Sequence, residues 1–558
     1  MQSSRWTSIW RKIAQVLFIG CLVSGLGAQV SQKQIRYGFP DDWTHHRIRF
    51  NTAALRQHPE IAAREPRAAL QLYRETMNAF RGNLAPLAST NLSPSTPHPD
   101  WSVAFSAGGG PKVAPDMFPA KWNSDPRVAP NCNTDYVLFG LNTAGTTGGQ
   151  ANMVAFNNLY SGATGTPLCS GGQPKILFAY NVTSDPSGTG KIVTSPVLSL
   201  DGTKVAFIET VTTTGNHNTI FHVLNIPATP TGQTFPVSTG ARVPPLGAMS
   251  SLSVGAQTDS RSSPWVDYPS DTAYFATDNG RLWAVHPVFG AGTPVVVSGF
   301  PVVVHQGTGS SMTGPTLDVT GILYMGAANG VLYSVNLNNT PPTIGSLLVG
   351  GGATNGGILD APLLDSVGGS VFATSSNNGT SAVVVQANTS LSVSHSVPIG
   401  LGSSGGATVN IYDGDFDNNF TTPGSGHLLV CGTGTADTTP HRYLLPFDSS
   451  GNLGPDPGHV QLSTNTGARC GPVTEFFNTN LGTDFLFWSV TQNCLSGVNG
   501  CVMSLVNGAT GLTSARQAGG ASGIIVDNNS LAGQASSIYF STEGGTQNAV
   551  KLTQQNLN

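Results

Sequence analysis

Charge is what this sequence lacks most. Asp, Glu, Lys and Arg make up 10% of its 558 residues, against roughly a quarter in an average globular chain. Basic groups are scarcest where the chain is longest. Residues 101–558 hold 13 Lys and Arg against 23 Asp and Glu, a net of −10. Binding to nucleic acid needs cations that neutralise phosphates, so the composition argues against a nucleic-acid partner. Long apolar runs are missing too. After residue 28 no stretch is long and apolar enough to cross a bilayer as a helix, so no transmembrane segment is expected beyond the N-terminal signal. Strong helix formers cluster only within residues 52–80. No His-led triad, carboxylate pair or metal-ligand cluster stands at a recognisable spacing, and no catalytic residue is named.

What is present favours short strands and tight turns. The 68 Gly are interleaved with Thr, Ser, Val and Asn. Residues 1–28 read as a secretory signal: Arg5, Arg11 and Lys12 are basic, Ile13 to Leu26 is apolar, and Ala28 precedes the cleavage point. The rival is a lipoprotein signal ending in Phe18-Ile19-Gly20-Cys21. Setting Cys21 aside leaves six cysteines, an even number that suits an exported, periplasmic or extracellular protein. Residues 29–100 are expected to form a helical extension of one or two short helices, the later from about Arg67 to Phe80. A Pro/Ser/Thr linker follows from Asn83 to Asp100. Asp41-Asp42-Trp43-Thr44-His45-His46 imitates a metal site but reads as a solvated polar turn, since nothing nearby completes a ligand set.

From residue 101 one pattern repeats. Pro264-Trp-Val-Asp267, Pro315-Thr-Leu-Asp318, Pro362-Leu-Leu-Asp365 and Pro472-Val-Thr-Glu475 each precede a turn and an apolar strand. A second turn follows, with Asn279-Gly280, Asn329-Gly330 and Asn378-Gly379 as hairpin signals, and then a third and a weaker fourth strand. Four strands per unit is the blade of a propeller. Units begin near Pro119, Pro196, Pro264, Pro315, Pro362, Val409, Pro472 and Ile524. The expected fold is therefore all-β: a closed β-propeller over 101–558 of about eight four-stranded blades, seven being the alternative. The last unit offers three strands, and Trp101–Phe105 is expected to supply its fourth and close the ring. The repeated Asp residues are expected to bond the turns that follow them. On this blade map Cys132 and Cys169, and Cys431 and Cys470, fall on shared faces, while Cys494 and Cys501 lie in one hairpin loop, which predicts three local disulfides.

The units Gly321-Ile-Leu-Tyr-Met-Gly-Ala-Ala-Asn-Gly330 and Asp271-Thr-Ala-Tyr-Phe-Ala-Thr-Asp-Asn-Gly280 resemble the repeat of quinoprotein-type (PQQ-like) propellers. Asp100-Trp101-Ser102 and the stretch Ser195 to Gly202 are similar to uncharacterised exported bacterial propeller proteins. These resemblances imply fold rather than activity. Quinone-dependent dehydrogenases of that family use an adjacent Cys-Cys pair at the cofactor, and no two cysteines are adjacent here. Asp278 to Trp283 matches a sialidase Asp-box only in part. Gly402-Ser-Ser404-Gly-Gly406 matches a nucleophile elbow but sits in a Gly/Ser loop. Asp413, Asp415 and Asp417 alternate in a turn, which suits Ca²⁺; the rival reading is a solvated acidic hairpin. No other cofactor is expected. Between-blade loops at residues 308–313, 350–357, 400–406 and 463–467 offer hydroxyls and backbone groups with little charge. They suit a protein surface or a neutral polysaccharide, and the chain reads as a monomeric binding or scaffold protein. A dehydrogenase or a carbohydrate-cleaving enzyme on the same fold is the alternative.

Overall fold

A computed structural model describes residues 39–81 and 98–553, apart from short loop stretches at 126–127, 163–165, 186, 212–217, 256–258, 308–309, 351–356, 404–408, 421, 423, 479–482, 495–498, 507–511, 529–533 and 535. The signal, Cys21, most of the 83–100 linker and the core of the elbow-like loop lie outside these residues.

Eight antiparallel sheets follow one another along the chain, each running from an inner strand outward. The inner strands are Ala120–Trp122, Val197–Leu198, Trp265–Asp267, Thr316–Leu317, Leu363–Ser366, Asp415–Phe416, Thr474–Asn478 and Ile525–Asn528. The ring is thus an eight-bladed propeller, not a seven-bladed one. Unit starts read from the sequence lie within a few residues of the observed strands, blade six being the furthest off. Blade four is the plainest case: Thr316–Leu317, Ile322–Gly326, Val331–Asn336 and Thr343–Leu348 pair in order. Its Asn-Gly turn needs glycine: Gly330 has φ +81°, and a Cβ there would lie 2.0 Å from the Gly350 carbonyl oxygen.

Blade eight is built from both ends of the described chain. Ile525–Asn528, Ser536–Ser541 and Asn548–Thr553 pair in sequence, and His98–Ala104 adds antiparallel to Asn548–Thr553 as the fourth strand. The closing strand falls where the sequence placed it, and the Gly523 amide donates to the Met117 carbonyl (2.8 Å), tying blade eight to blade one.

The three disulfides are the expected ones: Cys132–Cys169, Cys431–Cys470 and Cys494–Cys501, with Cα separations of 5.7, 6.2 and 6.4 Å. Among the described residues no helix is long and apolar enough to cross a membrane.

The extension departs from expectation. It forms three helices, Thr52–Gln57, Pro59–Arg64 and Pro66–Arg81. Pro59 and Pro66 each start a helix, where the missing N–H costs nothing.

Candidate binding site at the upper mouth

Here the upper face means the one where inner strands begin, and the lower face the one where they end. Residues 39–50 run inside the ring and meet the inner strand, or the residues flanking it, in every blade. Asp41 pairs backbone to backbone with Lys121 of blade one (2.9 and 2.8 Å), and its carboxylate accepts from the Val526 amide of blade eight (3.3 Å). Asp42 accepts from Leu198 of blade two (3.3 Å). The Trp43 indole donates to the Pro264 carbonyl of blade three (3.2 Å), meets Trp265 edge-on, and lies against Gly314 of blade four. Ile48–Phe50 runs parallel to Leu363–Ser366 as a fifth strand of blade five, with Ile48 opposite Leu364. Arg49 bridges Asp415 of blade six (3.0 Å) and Glu475 of blade seven (2.5 Å).

The expected solvated turn at Asp41–His46 is therefore corrected. Trp43–His46 is a buried 3₁₀ turn on the ring axis, capped by the Asp42 side chain, which accepts from the Thr44 amide. Asp42 and Thr44 are fully buried. Burial pushes the Asp42 carboxyl up, but His45, Arg67 and Thr44 outweigh it and hold it below its ordinary value. The chain then leaves by the lower face, where Arg67 of the last helix donates to the Val266 carbonyl (3.1 Å) and stacks on Trp265 and Tyr268. The axis is filled by the protein's own residues, with the helices on its lower side.

The upper mouth is different. Its floor is Trp43 and Arg47, and its walls include Asp116, Phe118, Arg261, Thr313 and Asp360. The Arg47 guanidinium bonds Asp360 (2.5 Å) while its Nε and Nη1 find no partner although the residue is 1% exposed. Burial, then the neighbouring Asp360 charge, pushes the Asp116 and Asp413 carboxyls well up. Burial also raises Asp360, against the pull of Arg47. Asp413 accepts from the Thr374 hydroxyl and leaves Oδ2 unpartnered. The cavity on the axis is about 20 Å³, room for roughly one water. A larger cavity of about 140 Å³ opens beside it between blades six and seven, lined by Asn410, Thr433, Thr438, Thr466, Arg469 and the Cys431–Cys470 bridge. Arg469 links the two, reaching the Tyr412 hydroxyl (3.4 Å) and Glu543 (3.8 Å).

The candidate calcium ligands have separate protein partners. Asp413 holds Thr374, Asp415 holds Arg49 and the Glu475 amide, and Asp417 pairs with His427 (2.8 Å). All three are buried, so the hairpin is not a solvated one. Among the described residues no group of three or more His, Cys, Asp or Glu is placed to hold a metal. The repeat acids divide. Asp318 bonds its own turn at Thr320 and Asp267 bonds Ser270, as expected, but Glu475 is taken by Arg49 and Asp527 by Lys121. A quinone cofactor does not fit the axis, because Trp43, Arg47 and their neighbours fill it. Sequence reading missed the axial segment. Its signal was charge: residues 1–100 carry 12 of the 25 Lys and Arg, Arg47, Arg49 and Arg67 among them, while residues 101–558 are net acidic.

No family model matches this chain, and no curated protein sequence matches it. Solved structures similar to it include BamB from Moraxella catarrhalis, at 13% identity and TM-score 0.41 over 83% of this chain and 99% of that one. Another is the Dos1 propeller, at 9% identity and TM-score 0.45 over 82% and 95%. The C-terminal WD40 domain of Sif2 has 8% identity and TM-score 0.42 over 82% and 98%. At such identities the likeness concerns the propeller fold alone.

Proposed function

We propose that the protein is an exported binding or scaffold protein that takes a neutral, polyhydroxylated ligand at its upper mouth. One observation carries the reading. The axis and its lower side are occupied by the chain itself, whereas the upper face keeps a cavity lined by threonines and Asn410, with Arg469 at its edge. Hydroxyls and amides with one guanidinium suit sugar hydroxyls better than an ionic ligand. The paired cysteines and the N-terminal signal pattern support export. The suspected kinship with exported bacterial propellers belongs to this proposal, as does a domain boundary near residue 100.

The test is a thermal-shift screen against neutral oligosaccharides, with Thr466→Trp as the blocking variant at the exposed rim of the cavity. A stabilising glycan whose effect disappears in Thr466→Trp supports the site. A screen positive only for proteins, or insensitive to this substitution, contradicts it. The second reading is glycan hydrolysis, favoured by the raised Asp116 and Asp360 carboxyls at one mouth. The axial cavity is too shallow for a sugar between them, and turnover of a labelled glycan abolished by Asp116→Asn is the result that would reinstate it.

A further inference from the structure

The ring is sealed where blade one meets blade eight, and that seam holds a side-chain pair of unusual chemistry. Lys121 lies in the inner strand of blade one and Asp527 in the inner strand of blade eight. Lys121 Nζ stands 3.1 Å from Asp527 Oδ2, and both side chains are 0% exposed. Around them are Tyr539, whose hydroxyl donates to Asp527 Oδ2 (3.3 Å), and Asp135, which accepts from the Tyr160 hydroxyl (2.6 Å). Tyr160 and Tyr539 are themselves buried. The other cation of the seam, Lys551, is engaged by Asp100 (2.9 Å), so Lys121 is the amine aligned on Asp527.

We propose that Lys121 and Asp527 condense to an intramolecular amide that covalently closes the propeller. Water opposes such condensation by mass action and keeps the amine protonated. A dry seam removes the first obstacle, and burial there makes the charged form of the carboxyl costly to hold. Burial raises the Asp527 carboxyl against the pull of Lys121, and it raises Asp135 in the same way. Lys121 also donates to the Asn123 carbonyl, which fixes the direction of its amine beside the Asp527 carboxyl. The Nζ–Cγ bond forms and a Cγ–O bond breaks. The proton that the nitrogen loses goes to the departing oxygen, which leaves as water. Amine plus carboxylic acid gives amide plus one water, with no oxidant or co-reactant. Each partner comes from a different blade, so the bond joins residues 406 apart in sequence at the place where an opened ring would first separate.

The experiment is denaturing mass spectrometry of the purified full chain after reduction of its disulfides and sequencing of its N-terminus. The expected mass is lower than the sequence mass by one water, about 18 Da. A branched tryptic product should join the peptide containing Lys121 to the one containing Asp527, uncut at Lys121. Lys121→Arg should restore the full mass while the three disulfides still form, which separates loss of the bond from general misfolding. An intact mass equal to the sequence mass, or a water loss mapped to any other pair, overturns the proposal.

Discussion

The blade strands and the axial segment solve the same problem in opposite ways. A blade strand such as Ile322–Gly326 is satisfied by its immediate neighbours in sequence, through hairpins on both sides, and is buried along nearly its whole length. Residues 39–50 make one local turn, Trp43–His46, and otherwise reach far along the chain. Their partners are Lys121, Leu198, Pro264, Leu364, Asp415, Glu475 and Val526, spread over the whole ring. A propeller built by local pairing alone leaves a polar axis, and here one short segment neutralises it. The comparison teaches that ring integrity depends on long-range polar contacts at the centre while each blade depends on local apolar ones.

The strongest way to break this comparison is Arg49→Ala. It leaves Asp415 and Glu475 buried without their cation, which should cost about 3–5 kcal/mol, read by urea unfolding. A loss below about 1 kcal/mol, the range of an exposed pair, would make the axial contacts decorative. Trp43→Ala removes an indole packed between blades three and four and should likewise cost about 3–5 kcal/mol. An equal cost for a truncation on the outer rim, such as Leu348→Ala at an exposed edge, would erase the distinction between centre and rim. Cys132→Ser with Cys169→Ser tests a local staple inside blade one and should cost about 2–4 kcal/mol in a thermal melt, without opening the ring.

Acidity sharpens the same contrast. Burial lifts the Asp365 carboxyl, at the end of blade five's inner strand, to about 7. Its value in the unfolded chain is about 3.9. Between those values the folded state binds the extra proton, so stability is greater near pH 4 and falls as pH rises through 7. Asp365→Asn should abolish that part of the pH dependence and raise the melting temperature at pH 8 relative to the parent. Curves that remain parallel from pH 5 to 8 would contradict it. The smallest effect concerns calcium. An ion at Asp413, Asp415 and Asp417 requires a chelator to lower the melting temperature. The separate contacts of these residues with Thr374, Arg49 and His427 predict no change.

The blades were legible in sequence because each repeats short apolar strands between fixed turn signals. Asn329-Gly330 and Pro315 to Asp318 announce their roles within a few residues. The cysteine pairs followed from the blade map, since partners on one face are close. The axial segment was not legible for the opposite reason. Asp41, Asp42, His45 and His46 look like a solvated turn by composition, but contacts with distant blades, added to those within the turn, satisfy them in the buried state. Arg47 and Arg49 alternate with Ile48 and Phe50, a strand signal too short to weigh against a helical neighbourhood. The upper mouth was half legible: its loop composition was plain, but the convergence of Asp116, Asp360, Asp413 and Arg469 depends on ring closure.

Hydrogen exchange at the amides of residues 41–50 in the unmodified protein tests the central claim most directly. If the segment is the ring's built-in axis, the Asp41 amide and those of Ile48–Phe50 exchange as slowly as the inner strands they meet, near the global unfolding limit. Exchange at the rate of an unstructured extension, with the blade strands still protected, would contradict the account.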